Sequence, residues 1–235
     1  MKTNLLLSAA AFLAGSLFSA NASPKDDVTN AAKKLGDAAN YSWKTTVVVP
    51  EGSRFRPGPT EGETEKDGFT HLTVSLGDSP TQAVLKGDKA AISNPDGGWQ
   101  SLAELDTAEG PARFRAMAVR NFKAPAAQAA ELAAGAKELS KDGDACSGEL
   151  TEDAAKTLLT FGRRPGGDGP TVSDAKGSVK FWLKDGVLSK YEAKVSGKVT
   201  FNGNERDVDR TMTVEIKDVG TTKVEVPEDA KKKLL

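Results

Sequence analysis

From Val179 to Ile216 the chain alternates apolar and polar residues with a period of two, the repeat of strands that bury one face and wet the other. Val179, Phe181 and Leu183 alternate with Lys180, Trp182 and Lys184. Val187, Ser189, Tyr191, Ala193, Val195, Gly197, Val199 and Phe201 alternate with Leu188, Lys190, Glu192, Lys194, Ser196, Lys198 and Thr200. Asp185-Gly186 and Asn202-Gly203 separate the runs with the residue pairs that a two-residue hairpin turn prefers, because both central positions need positive φ. Met212, Val214 and Ile216 continue the pattern, and Lys223 to Val226 closes it before Pro227. The expectation is an antiparallel meander of about four strands.

Upstream the period changes more than once. Ser23-Pro24-Lys25-Asp26 reads as a capped helix start, followed at helical spacing by Val28, Ala31, Ala32 and Leu35, with Gly36 as the stop. Tyr41, Trp43, Thr45, Val47 and Val49 alternate as a strand that ends at Pro50. Residues 51–68 are rich in Gly, Pro, Glu and Thr without a period and read as a long loop. A strand from Phe69 to Leu76 puts Leu72 and Val74 on one face and His71 on the other. Thr81–Leu85 and Lys89–Ser93 flank a third turn signal at Gly87-Asp88. Between Leu102 and Glu138 the chain is alanine-rich, with Phe114, Met117, Ala118 and Phe122 marking one helix and Ala126 to Ala134 a second after Pro125. Ala145–Leu150 reads as a short strand, Thr151-Glu152-Asp153 caps a helix carrying Ala155, Leu158 and Leu159, and Arg163–Lys176 reads as a second loop. Strands in runs with segregated helices predict an α+β fold: one strongly curved antiparallel sheet with short helices over its apolar face.

The ends and the composition add location. Met1-Lys2, the apolar run Leu5–Phe18 and Ala20-Asn21-Ala22 predict a signal peptide over residues 1–22, cleaved after Ala22, and a single domain over residues 23–235. The apolar run is too short to cross a bilayer core of about 30 Å, so no integral membrane segment is expected after cleavage, and a periplasmic or secreted location follows. The formal net charge is −1, which gives no basic face for nucleic acid. Lys231-Lys232-Lys233 reads as a solvated tail. Cys146 is the only cysteine, so no internal disulfide forms, and a buried thiol is expected.

Catalytic chemistry finds little support. His71 is the only histidine, no Gly-x-Ser-x-Gly motif accompanies it, and it reads as an ordinary surface or hydrogen-bonded side chain. One histidine and one cysteine do not make a zinc site. The run from Asp142 to Asp153 fails as a calcium loop, since Cys146 and Ser147 occupy its fifth and sixth positions. Pro165 to Pro170 lacks the Lys-Ser/Thr of a phosphate loop. No enzyme activity, cofactor or metal is expected.

The run Phe181-Trp182-Leu183-Lys184-Asp185-Gly186-Val187-Leu188-Ser189-Lys190-Tyr191, followed by Thr213 to Gly220 and by Val224-Glu225-Val226-Pro227, resembles the outer-membrane lipoprotein carriers (LolA-like) and the LppX-type lipoproteins. The amino-terminal helix and the Tyr41-Ser42-Trp43 strand start support it. The resemblance implies an incomplete half β-barrel whose concave face is covered by helices and receives acyl chains. Aromatic residues make up only 6% of the chain, and no cysteine near Ala22 offers a lipid anchor, unlike in the anchored members. The expected function is that of an exported, non-enzymatic protein that shelters a lipid, an acyl chain or another apolar ligand. Trp43, Val47, Leu72, Val74, Phe181, Tyr191, Val195, Phe201, Met212 and Val214 are the candidate cavity wall. For Trp43, Phe181, Tyr191 and Phe201 core filling is the first reading and cavity wall the second, because inward strand positions meet the interior whether or not it is hollow. The alternative function is an envelope-sensor or protein-interaction domain with a solid core and a protein partner.

Overall fold

The computed structural model describes residues 23–53, 56–76, 79–160 and 169–234. The predicted leader lies outside the described residues, as do residues 163–168 of the predicted loop at 163–176. Helix α1 (Pro24–Asp37) starts at Ser23, whose hydroxyl accepts from the Asp26 N–H while the Asp26 carboxylate accepts from the Ser23 N–H. Val28, Ala31, Ala32 and Leu35 form its buried face. Six strands follow: β1 (Asn40–Val48), β2 (Thr60–Glu65), β3 (Thr70–Leu76), β4 (Ser79–Lys86), β5 (Lys89–Ser93) and β6 (Trp99–Ser101). Helices α2 (Gly110–Arg120) and α3 (Pro125–Gly135) lead to β7 (Ser140–Asp142), β8 (Ala145–Glu149) and α4 (Glu152–Leu159). The chain ends with β9 (Thr171–Lys184), β10 (Val187–Phe201), β11 (Asn204–Lys217) and α5 (Glu228–Lys232).

All eleven strands form one antiparallel sheet in the order β6-β5-β4-β3-β2-β1-β11-β10-β9-β8-β7. The order explains the helical interlude. Two meanders are joined where β1 pairs with β11, so the chain leaves one outer edge at β6 and must reach the other at β7. It makes that crossing through α2 and α3. The sheet is not closed into a barrel, and its free edges are strands of only three residues, too short to template further pairing. The α+β fold with one large antiparallel sheet and short helices is therefore the expected one.

The two turns read from sequence form as the mechanism requires. Asp185 and Gly186 take φ of 54° and 72°, and Asn202 and Gly203 take 50° and 74°. The two sheet faces are both used. The inner face carries the main core, against α1, α3 and α4. A smaller outer cluster packs Val84, Ala91, Phe69 and Trp99 against Ala230 and Leu234 of the α5 region.

Five readings of the sequence are corrected. Residues 60–65 of the predicted loop are strand β2, paired with β1 and β3. Strand β9 begins at Thr171, inside the second predicted loop. Lys223–Val226 forms no strand, because β1 occupies the place beside β11 that it would have taken. The lysine run is not a loose tail: Lys231 and Lys232 lie in α5, and Lys233 reaches Glu104 at 2.7 Å. A register shift between Leu188 and Lys190 changes the phase of β10, so Leu188, expected on the wet face, is 1% exposed.

Candidate functional site

The register assembles the inner face. Trp43 lies opposite Gly62 and Ile216, Thr45 opposite Thr60 and Val214, and Val47 opposite Met212. Val214 then meets Tyr191, Tyr191 meets Phe181, and Phe181 meets Cys146. Along β11, Val208, Arg210, Met212, Val214 and Ile216 share this face, as alternate residues must.

The structure divides the ten expected wall residues into three groups. Trp43, Leu72, Phe181, Tyr191, Val195 and Val214 are 3% exposed or less and belong to the packed core. Val47, Val74 and Met212 are half-buried on the same face. Phe201 stands apart at the tip of β10, 55% exposed.

The packed group is held by specific contacts. The Trp43 indole stacks on Phe122 with ring centres 5.8 Å apart, and Tyr41 approaches it at 5.9 Å. Phe181 and Tyr191 lie 6.3 Å apart. The Tyr191 hydroxyl donates to Gln128 Oε1 at 2.6 Å, which satisfies a polar tip that would otherwise be stranded in the core. Burial pushes the Tyr191 phenol well above its ordinary value. Burial likewise pushes Tyr41 up to about 12, against the opposing effect of the Ala126 N–H at the start of α3, which donates to its oxygen.

The half-buried group forms a strip. Val47, Val74 and Met212 lie among Thr45, Thr60 and Thr81, also half-buried, on strands β1 to β4 and β11. Helix contacts to the sheet concentrate elsewhere: α1 and α4 lie over β8–β10, and α2 meets β5. Phe122 and Leu158 are partly buried hydrophobics packed on the same core. Arg210 sits on the inner face one register step beyond Met212, opposite Val195, and donates to the Leu158 carbonyl near the end of α4. Burial lowers its pKa to about 10.

Two other places were candidates for chemistry. His71 is half-buried between Glu63 and Val84 on its neighbouring strands, and its Nε2 has no hydrogen-bond partner. No cluster of three or more metal-ligating side chains exists among the described residues. A cleft of 610 Å³ opens between α1 and the β9–β10 turn, lined by Lys33, Lys34 and Lys141 and by Asp27, Asp37, Asp144 and Asp185. Its charges alternate, so it presents no field of one sign. It is also separate from the apolar strip. Among the described residues no helix is long and apolar enough to cross a membrane.

No family model and no curated protein matches the sequence. Solved structures do. The lipoprotein LppX of Mycobacterium tuberculosis is similar at a TM-score of 0.46 and 9% identity, over 87% of this chain and 98% of that one. The group that the sequence resembles is thus among the matches. LprF from Mycobacterium bovis is similar at 0.47 and 11%, over 88% of this chain and 97% of that one. Identity this low transfers no residue roles, so the site rests on its own geometry.

Sequence reasoning missed Gly62, Gln128 and Arg210. Each left a trace. Gly62 and Thr64 are the small residues of a strict alternation with Glu61, Glu63 and Glu65; Gln128 is a lone amide among alanines; Arg210 has the phase of Met212 and Val214.

Proposed function

We propose that this chain is an exported, non-enzymatic binding protein that holds a lipid or other apolar group along the half-buried strip of its inner sheet face. The observation that carries the reading is the mismatch between sheet and cover. Helices α1 to α4 all pack on the core of this eleven-stranded sheet, yet Val47, Val74 and Met212 on its inner face are left half-buried. The strip crosses β3, β2, β1 and β11, three inter-strand spacings or about 14 Å. An acyl chain laid across it gains about 0.8 kcal/mol for each methylene taken out of water. Arg210 at its margin suits a ligand whose polar end is anionic. Export follows from the predicted leader, and the location is the periplasm or the medium.

A second reading has its own support. Trp43, Phe181 and Tyr191 are packed solid, as in a domain that recognises a protein partner and holds nothing inside. Native mass spectrometry of the chain from Ser23, purified without detergent and then incubated with lipid, separates the two. Stoichiometric added mass that Met212→Trp abolishes, with an unchanged melting temperature, is the expected result. A clean mass before and after incubation refutes lipid binding and leaves the solid-core reading.

A further inference from the structure

The helix α2 is turned the wrong way for a core element. Its buried residues are only Ala116 and Val119, while Phe114 is 58% and Met117 37% exposed. The spacing of Phe114, Met117 and Ala118 predicts an inward stripe, and the structure points that stripe at solvent. Single exposed apolar side chains are ordinary, and Val48 on β1, Phe201 on β10 and Val219 in the turn after β11 are such cases. Phe114 and Met117 differ because they lie three residues apart, side by side on one helical face.

The charges on this segment have one sign. Residues 110–123 contain Arg113, Arg115, Arg120 and Lys123 and no acid, in a chain whose formal net charge is −1. Arg120 is committed to Asp106 and to the Leu102 carbonyl, and Lys123 to Glu131 at 2.5 Å. Arg113 and Arg115 make no ion pair among the described residues. Arg113 is exposed on the flank of the Phe114–Met117 stripe, and Arg115 is half-buried with an Nε that has no partner. A helix with one side buried, and with an aromatic and a methionine outward and arginines beside them, has the form of an interfacial helix.

We infer that α2 docks the protein on an anionic lipid bilayer, with Phe114 and Met117 entering the headgroup boundary and Arg113 and Arg115 meeting the lipid phosphates. Charge complementarity selects this occupant: between Gly110 and Lys123 the segment carries arginines, a lysine and apolar side chains and no acid, and an anionic bilayer supplies the complement of both. Binding of this kind is weak and reversible. Each guanidinium strengthens it about fivefold and the Phe114 ring by about tenfold or more. The site is separate from the inner strip and does not depend on it. The chain that follows α2 carries Phe122, stacked on Trp43, so a bilayer docked on α2 adjoins the cover of the inner face.

The test is flotation of the chain from Ser23, where the described fold starts, with vesicles of phosphatidylcholine alone or mixed with phosphatidylglycerol. The parent is expected to float with the mixed vesicles, to lose that binding as salt rises, and to ignore pure phosphatidylcholine. The double variant Phe114→Ser/Met117→Ser is expected to bind at least tenfold more weakly, and Arg113→Glu about twenty- to thirtyfold more weakly because it exchanges two units of charge. All these side chains are on the exposed side of α2, so melting temperatures stay at the parent value. Phe201→Ser, nearly as exposed but on β10 and outside the α2 patch, is the control and should bind as the parent does. The inference is overturned if the parent stays unbound at low salt, if the double variant floats like the parent, or if Phe201→Ser loses as much. It is also overturned if the patch instead pairs two copies, seen as a dimer that the double variant dissolves without vesicles.

Discussion

Gly62→Ala tests whether the polar strand β2 belongs to the fold for the reason argued above. A Cβ at position 62 would lie 2.2, 2.5 and 2.7 Å from Cζ2, Cη2 and Cε2 of the Trp43 indole. Carbon atoms in contact sit about 3.5–4.0 Å apart, so the ring would have to retreat by more than about 1 Å. It has nowhere to go, since Phe122 stacks on it, Tyr41 abuts it, and the residue is 3% exposed. Overpacking of this kind costs about 1–3 kcal/mol. Removing a glycine from the unfolded chain returns about 0.4–1 kcal/mol, leaving a net loss of about 1–2 kcal/mol. For a chain of this size the melting temperature should fall by about 2–8 °C. Urea unfolding followed by circular dichroism measures it, and a double-mutant cycle identifies the cause. Trp43→Ala alone should cost about 3–5 kcal/mol. In that background Gly62→Ala has nothing to strike and should be neutral or slightly stabilising. An equal loss in both backgrounds, or no loss in the parent, would refute the argument that the glycine makes room for the indole.

Two further outcomes follow from the buried phenols. Tyr191→Phe removes the hydrogen bond to Gln128 and should cost about 1 kcal/mol in the same unfolding assay, and adding Gln128→Leu to the Tyr191→Phe variant should recover part of it. Tyr41 keeps its proton in the folded state up to about pH 12, whereas the unfolded chain releases it near its ordinary value of 10.0. The folded state therefore binds more protons in that window, and stability, complete below pH 10, should fall as the pH rises from 10 toward 12. Tyr41 contributes up to roughly 2–3 kcal/mol of the fall, which makes Tyr41→Phe less sensitive to alkali than the parent.

How much of this is readable depends on whether the cause is local. The hairpins at Asp185-Gly186 and Asn202-Gly203 and the cap at Ser23 are decided by a few adjacent residues, and they appear where the sequence places them. The strands β9 to β11 follow from their period. Strand β2 does not, because Thr60-Glu61-Gly62-Glu63-Thr64-Glu65 has no apolar side chain; its inward positions are small to admit an indole from β1. The pairing of β1 with β11 joins residues such as Ser42 and Lys217, 175 positions apart, and no local pattern encodes it. With that pairing unknown, Lys223–Val226 is the natural fourth strand. The site is legible as a face but not as a site. Alternation places Trp43, Met212 and Phe181 on one side of the sheet, whereas whether each is sealed or half-open is set by helices that the strand pattern does not contain.

That last distinction has a physical origin in the same chain. Where helices are pressed onto the sheet, the strands are notched: a Cβ on Gly197 would lie 2.8 Å from the Leu159 Cδ1 of α4, and one on Gly177 would lie 2.8 Å from the Leu150 Cδ1 just before that helix. Both glycines face inward on β10 and β9, and with side chains there α4 would ride higher and lose its buried Ala155 and Leu159. Strand β2 is notched as well, at Gly62, but a side chain of the neighbouring strand fills that notch and no helix enters it. On β1, β2 and β4 the neighbouring inward positions are threonines, Thr45, Thr60 and Thr81, whose branched side chains hold a cover away and tolerate partial wetting. The inner face is thus sealed over β9 and β10, and also at Trp43 and Leu72 on β1 and β3, and is half-open at Val47, Val74 and Met212, the strip that the proposed ligand would cover.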